Sequence, residues 1–218
     1  MSDTALRQAE LIVDTIARTA VENETYFCEL DAIAGDGDFG YSLARGFEIV
    51  ISGWDELEYE DAGGLLKKTA IVLTKRIGGT SGPIWGTAFL RASVAAGPKT
   101  ELSAADVVAM TRAAIEGMKK RGQSDVGDKT LLDAFVPAVD ELERVLRDGK
   151  SAGEAIRAAS VVARQKTEEI KPWVAKRGRA SYTGERSCDT YDAGSIAVAM
   201  MAEQLAAVWK SSSTVGAP

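Results

Sequence analysis

Apolar residues recur along the chain at three- and four-residue intervals, the period of an α-helix that packs by one face. Leu6, Ala9, Val13, Ile16 and Ala20 form a first stripe, and Leu43, Phe47 and Val50 a second. Leu66, Ala70, Leu73 and Ile77 make a third, Trp85, Ala88, Ala92 and Ala95 a fourth, and Val107, Met110, Ala114 and Met118 a fifth. Leu131, Phe135, Ala138, Leu142 and Val145 follow, then Ala152, Ile156, Ala159 and Ala163, and finally Val198, Met201, Leu205 and Val208. No convincing stretch alternates with the period of two that marks a half-buried strand. The pattern predicts one all-α domain of about eight helices in an up-and-down bundle, covering residues 1–210 and followed by a polar tail at 211–218. Local signals agree: Ser103 stands three residues ahead of Asp106 as in a capping box, and Pro83 sits where a first helical turn would begin.

The polar gaps between the stripes are unusual for such a bundle. The chain has 21 glycines, and they concentrate in four connections: residues 35–46, 78–86, 121–130 and 177–187. Connections separated by an even number of helices lie at the same end of an up-and-down bundle, so these four are expected on one rim.

Each connection carries chemistry of its own. The first, within "LDAIAGDGDFG", places Asp31, Asp36 and Asp38 in eight positions, with no cation before Arg45. Carboxylates so close repel unless a cation offsets them, and hard divalent cations take oxygen ligands. An EF-hand does not fit, since the fifth and twelfth positions from Asp36 are Gly40 and Phe47. The second, "GGTSGP", sets Gly79, Thr80 and Ser81 at the start of a helix, where N–H groups and the helix dipole favour an anion. It is not a Walker A loop, because GxxxxGK[ST] is absent. The third, "KRGRASYTGERS", offers Arg177, Arg179 and Arg186, residues able to clamp phosphate or to balance Glu185 and Asp189. The fourth, "GDKTLLDAFVPAVDEL", opens a helix near Asp128 or Thr130 and leaves Leu131 at the rim for an aromatic base. Alone, each motif reads as readily as an ordinary turn or solvated loop; together they describe a nucleoside di- or triphosphate site without a P-loop. Lys129 and Lys176 flank these loops, where a solvated charge is the default.

Composition narrows the field further. A net charge of −6 argues against a nucleic-acid partner. The N-terminal stretch carries Asp3, Glu10 and Asp14, unlike a signal peptide, and no apolar run reaches the ~18 residues of a membrane span. Cys28 and Cys188 belong to no CxxC pair, which suits free thiols in a reducing, cytoplasmic setting. The chain contains no histidine, so a Ser-His-Asp triad, a His-ligated zinc and phosphohistidine chemistry are all excluded within it.

At these residues the sequence resembles the nucleotide-binding L subunits of dihydroxyacetone kinases and the equivalent C-terminal domain of the single-chain, ATP-dependent enzymes. The matching stretches are "LDAIAGDGDFG", "GGTSGPIWGT", "GDKTLLDAFVPAVDEL" and "GRASYTGERS…DAG", in order over nearly the whole chain. The resemblance implies an eight-helix antiparallel barrel with a nucleotide, ADP or ATP, at one end. It implies that Asp31, Asp36 and Asp38 ligate two magnesium ions. Phe39, Gly40, Tyr41, Ser42, Gly79, Thr80 and Ser81 would contact phosphates, and Gly122, Leu131, Arg179, Asp192, Ala193 and Gly194 the rest of the nucleotide. In that family the ketose is held covalently by a histidine on a separate K subunit or domain, so a histidine-free chain can still be the phosphoryl-donor half. Two departures stand out. Phe39 replaces the histidine of the usual D-G-D-H-G, and "CDTYDAGS" puts Thr190 and Ala193 where the family has a histidine and D-P-G. Two donor modes stay open: ATP exchanged each turnover, or ADP retained and rephosphorylated by a phosphotransferase-system subunit. The acceptor that the resemblance implies is dihydroxyacetone, erythrulose or another small ketose. A non-catalytic, nucleotide-dependent regulatory protein is the alternative.

Overall fold

Every one of the eight stripes folds into a helix that buries its apolar face. The computed structural model describes residues 4–54 and 59–213. Its helices are α1 (Thr4–Glu22), α2 (Glu24–Ala34), α3 (Phe39–Ser52), α4 (Ala62–Arg76), α5 (Ser81–Ala96), α6 (Ala104–Gly122), α7 (Leu131–Arg147), α8 (Ala152–Glu169) and α9 (Ala193–Ser213). A 3-10 segment, Arg179–Ser187, lies between the last two, and no strand occurs among the described residues. Eight of the helices close a ring. α1 packs on α3, each helix from α3 onward packs on the next, and α9 returns to α1.

The ninth, α2, is not among those eight stripes. Only Asn23 separates it from α1, with no glycine or proline to announce a boundary, and just Phe27, Leu30 and Ala34 of its residues are buried. It lies against α3, α9 and the 3-10 segment. Its importance is positional, since its last turn carries Asp31.

Inside the ring Val13, Leu43, Phe47, Leu65, Leu73, Ile115, Leu132 and Ile196 are fully buried and belong to one continuous core. Phe47 meets Trp85 and Phe89 edge-on, with ring centroids 6.2 and 6.3 Å away, and truncating such a side chain costs about 3–5 kcal/mol. A second, small cluster of Ala138, Ala159, Ala163 and Ala199 joins α7, α8 and α9, where short side chains let the helices approach closely.

The helices alternate in direction, so their ends divide into two sets. At the far end α4, α6 and α8 begin, each capped by its own sequence. Asp61 accepts the Gly64 N–H at 2.7 Å, and Ser103–Asp106 and Ser151–Glu154 form reciprocal capping boxes. The Ala5 N–H donates to the Thr100 carbonyl at 3.1 Å, so α1 starts at this far end, and α9 finishes there. At the opposite end α3, α5, α7 and α9 all begin. α9 continues through Ser213, so the first three residues of the expected tail are helical, and residues 214–218 lie outside the described residues. No described helix is long and apolar enough to cross a membrane.

Candidate functional site

The four glycine-bearing connections meet at the end where α3, α5, α7 and α9 begin, and they enclose a cavity of about 450 Å³. That volume lies in the range typical of small-ligand and cofactor sites. Four helix N-termini aim at it, so the backbone alone gives it a positive field.

Against that field stand the carboxylates. Asp31, Asp36 and Asp38 each bring one oxygen within 4.8 Å of the others. Asp31 is held by α2 and turned inward by the chain that follows. Gly37 adopts φ +76°, a left-handed turn open to glycine, and its N–H donates to Asp31 Oδ2 at 2.9 Å. The Phe39 N–H reaches the same oxygen at 3.4 Å. Burial raises the Asp31 pKa; these two hydrogen bonds pull it back, and the charges of Asp36 and Asp38 push it up again. Arg179 bridges the other two, pairing with Asp36 and standing 3.9 Å from Asp38. It therefore faces the acidic loop rather than Glu185 and Asp189. An all-oxygen set of three carboxylates fits a hard divalent cation such as magnesium.

The second glycine-bearing loop lies beside them, where a Cβ on Gly79 would stand 3.9 Å from Arg179 Nη2. Gly79, Thr80 and Ser81 line the cavity, and Thr80 supplies no side-chain cap to α5. Asp38 likewise makes no capping bond to α3. The other two helices are capped. Thr130 and Asp133 form a box at the start of α7, and Asp192 Oδ2 accepts the Ser195 N–H of α9 at 2.6 Å. Burial pushes Asp192 up to about 7; the Ser195 hydrogen bond and nearby Lys129 oppose the rise, while Asp133 and Asp31 add to it.

Of the residues singled out in the sequence, Asp31, Asp36, Asp38, Phe39, Ser42, Gly79, Thr80, Ser81, Gly122, Leu131, Arg179, Asp192, Ala193 and Gly194 line this cavity. Gly40 and Tyr41 do not. Gly40 is buried where α3 crosses α2, and a Cβ there would collide with the Glu24 carbonyl. Tyr41 is 56% exposed, with the Arg45 guanidinium 5.2 Å from its ring centroid, and its N–H donates to Cys28 Sγ. Phe39 packs its ring on Phe27, centroids 6.1 Å apart, so it serves the α2–α3 contact as well as the cavity wall. Both cysteines are free.

Sequence reasoning missed several lining residues, among them Ile84, Met118, Arg121, Tyr191 and Lys129. Met118 and Ile84 carry the helical period of their stripes and so look like plain core. Lys129 corrects an expectation outright: it is not solvated but 2% exposed. Its ammonium donates to the carbonyls of Lys171, Trp173 and Ser187 at 2.8, 2.7 and 2.6 Å. Those partners lie more than forty positions away, and no local pattern announces them.

Comparison with known proteins places this architecture. Residues 33–207 match the DAK2 domain family model. The chain is 36% identical over 181 residues to the PEP-dependent dihydroxyacetone kinase, ADP-binding subunit DhaL, of Escherichia coli K12, covering 83% of this chain and 86% of that protein. It is 36% identical over 197 residues to the L-erythrulose kinase of Pectobacterium atrosepticum, covering 88% of this chain and 33% of that one. Among solved structures, the dihydroxyacetone kinase of C. freundii in complex with AMP-PNP and Mg2+ superposes with a TM-score of 0.68 at 25% identity, over 90% of this chain. The chain spans about a third of those two longer kinases. An eight-helix ring opening on one glycine-rimmed cavity, matched over 175 residues by the family model, leaves one assignment: the chain belongs to the DAK2 domain family.

Proposed function

We propose that this chain is the nucleotide-binding, phosphoryl-donor subunit of a small-ketose kinase. The observation that carries the reading is the meeting of three carboxylates with four helix N-termini around one cavity. An acidic cluster alone suits a cation and helix starts alone suit an anion; a metal–nucleotide complex needs both. In this reading Asp31, Asp36 and Asp38 would hold magnesium, two ions that would offset phosphate charge. The uncapped starts of α3 and α5, with Ser42, Thr80 and Ser81, receive the phosphates. Leu131, Ile84 and Met118 give the base an apolar wall, and Gly122, Asp192, Ala193 and Gly194 border it. Arg179 neutralises charge on the transferred group. Magnesium-nucleotide supplies the phosphoryl group and part of that charge neutralisation. The names of the relatives support the reading, for one is an ADP-binding subunit of a dihydroxyacetone kinase and another an L-erythrulose kinase.

The acceptor is held elsewhere. With no histidine in these 218 residues, the family's covalent ketose adduct would form on a K-type subunit or domain. Purified protein incubated with magnesium, ATP and dihydroxyacetone or erythrulose is expected to yield sugar phosphate only when a matching K-type subunit is added. Robust product from the chain alone overturns the partner model. Native mass spectrometry separates the two donor routes: co-purifying ADP marks a retained nucleotide recharged by a phosphotransferase protein, and an empty site marks exchange of ATP.

A further inference from the structure

Lys129 is a buried cation that the proposed chemistry does not use. It follows Asp128 in the connection between α6 and α7, at φ +60°, a left-handed conformation that side chains other than glycine avoid. Something must hold it there. All three ammonium N–H groups are donated to main-chain carbonyls, and the partners are not scattered. Lys171 and Trp173 lie just after the end of α8, and Ser187 closes the 3-10 segment. The ammonium therefore joins the two ends of one loop, residues 171–187, at its base.

Other contacts lay the same loop along the α6–α7 connection. The Lys176 N–H donates to the Asp128 carbonyl at 3.0 Å, Lys176 Nζ to the Gly127 carbonyl at 2.7 Å and Arg177 Nε to the Gln123 carbonyl at 2.7 Å. The Ser187 hydroxyl accepts the Ala175 N–H at 2.9 Å, a second tie across the base. At the far side Thr183 Oγ1 lies 3.3 Å from the Ala34 carbonyl, at the end of the helix that carries Asp31. Between base and tip sits Arg179, over Asp36 and Asp38. Burial lowers the Lys129 pKa, while Asp192, Cys188 and Asp189 raise it.

We propose that Lys129 is a positioning residue whose ammonium clamps the base of the 171–187 loop and thereby fixes Arg179 at the metal–phosphate end of the cavity. It touches no reacting atom, and with all three donors engaged it is not a free amine nucleophile. Its effect on the ligand passes through Arg179. The effect on ligand binding rests on the nucleotide reading of the cavity; the clamp itself does not.

The test combines amide hydrogen exchange with a double-mutant cycle. Lys129→Met keeps the stem and removes the donors; Lys129→Gln, which retains two N–H groups, carries the same test if the first variant does not fold. The expected exchange result is faster exchange confined to residues 171–187, with the helical ring protected as before and protection partly restored in Lys129→Arg. For Mg-ADP affinity by calorimetry, the substitution is expected to cost about tenfold in the wild-type background and less than about twofold in Arg179→Ala, because coupled residues are not additive. Unchanged exchange in the loop, or exchange raised evenly through the ring, overturns the clamp. An equal loss of affinity in both backgrounds overturns its action through Arg179. Wild-type protein that binds no Mg-ADP would refute the nucleotide reading instead, and the exchange data would still decide the clamp.

Discussion

The two ends of the barrel are built from the same helices, yet the helices begin differently at each. At the far end α4, α6 and α8 start on Asp61, Ser103 and Ser151, side chains that fold back onto the first-turn N–H groups. At the cavity end α3 and α5 start on Asp38 and Thr80, which are of capping types but make no such bond. The two uncapped starts flank the carboxylate loop and the glycine-threonine-serine turn. Residues of one chemical type thus serve opposite ends: where the side chain satisfies its own helix it stabilises the fold, and where it does not, donors and acceptors remain for a ligand. The remaining cavity-end starts, α7 and α9, are capped by Thr130 with Asp133 and by Asp192, so half of the rim is self-sufficient.

Substitutions at the two ends should therefore separate binding from stability. The largest effect is expected from Asp36→Asn and Asp38→Asn. Each should lower Mg-ADP affinity by roughly a hundredfold while the melting temperature of the ligand-free protein stays level or rises, since a crowded charge is removed. The half-exposed pair with Arg179 contributes little to stability in return. Calorimetry showing affinity within about twofold of wild type would remove these residues from the site. Next comes Arg179→Lys, expected to slow sugar phosphorylation with the partner by about tenfold with an unchanged melting temperature, because a point charge does not replace a planar fork. A marked fall in stability instead would make Arg179 a scaffold residue.

The sharpest form of the comparison pairs Thr80→Ala with Ser151→Ala. Thr80 caps nothing, so its loss should weaken Mg-ADP by several-fold, about 1 kcal/mol, and leave thermal stability alone. Ser151 closes a capping box, so its loss should cost about 1 kcal/mol of stability and leave affinity alone. Equal melting temperatures, or a shared loss of affinity, would break the division between the two ends.

The last prediction concerns pH. Asp192 is a cap whose burial pushes its pKa up to about 7 from an unfolded value near 3.8. A raised folded-state pKa gives stability that is full below the unfolded value and lost as pH rises through the folded one. Asp192→Asn keeps an acceptor for the Ser195 N–H and cannot ionise. Measured without metal or nucleotide, its melting temperature relative to wild type should rise steadily between pH 4 and pH 8, the window bounded by the unfolded and folded pKa values. A difference that is flat over that window would mean that Asp192 is solvated.

Much of this was legible in the chain, for reasons that can be named. The eight ring helices each present a stripe of the right period, and their alternation alone sends the four glycine-bearing connections to one end. The acidic trio showed itself because three carboxylates without a cation are costly. α2 escaped because only Asn23 parts it from α1, too faint a boundary for Phe27, Leu30 and Ala34 to stand out as a separate element. Gly40 and Tyr41 were drawn in by their neighbours Phe39 and Ser42, but on a helix adjacent residues point a hundred degrees apart. Lys129 was misjudged because burial of a lysine depends on carbonyls that only the folded chain gathers.

Among the described residues, the start of α1 beside Thr100 and the finish of α9 both lie away from the cavity. A tether leading from the start of α1 or the finish of α9 therefore begins away from the mouth. The protein can be immobilised on a sensor surface, or fused through either end to a second module, with all four site connections still facing solution.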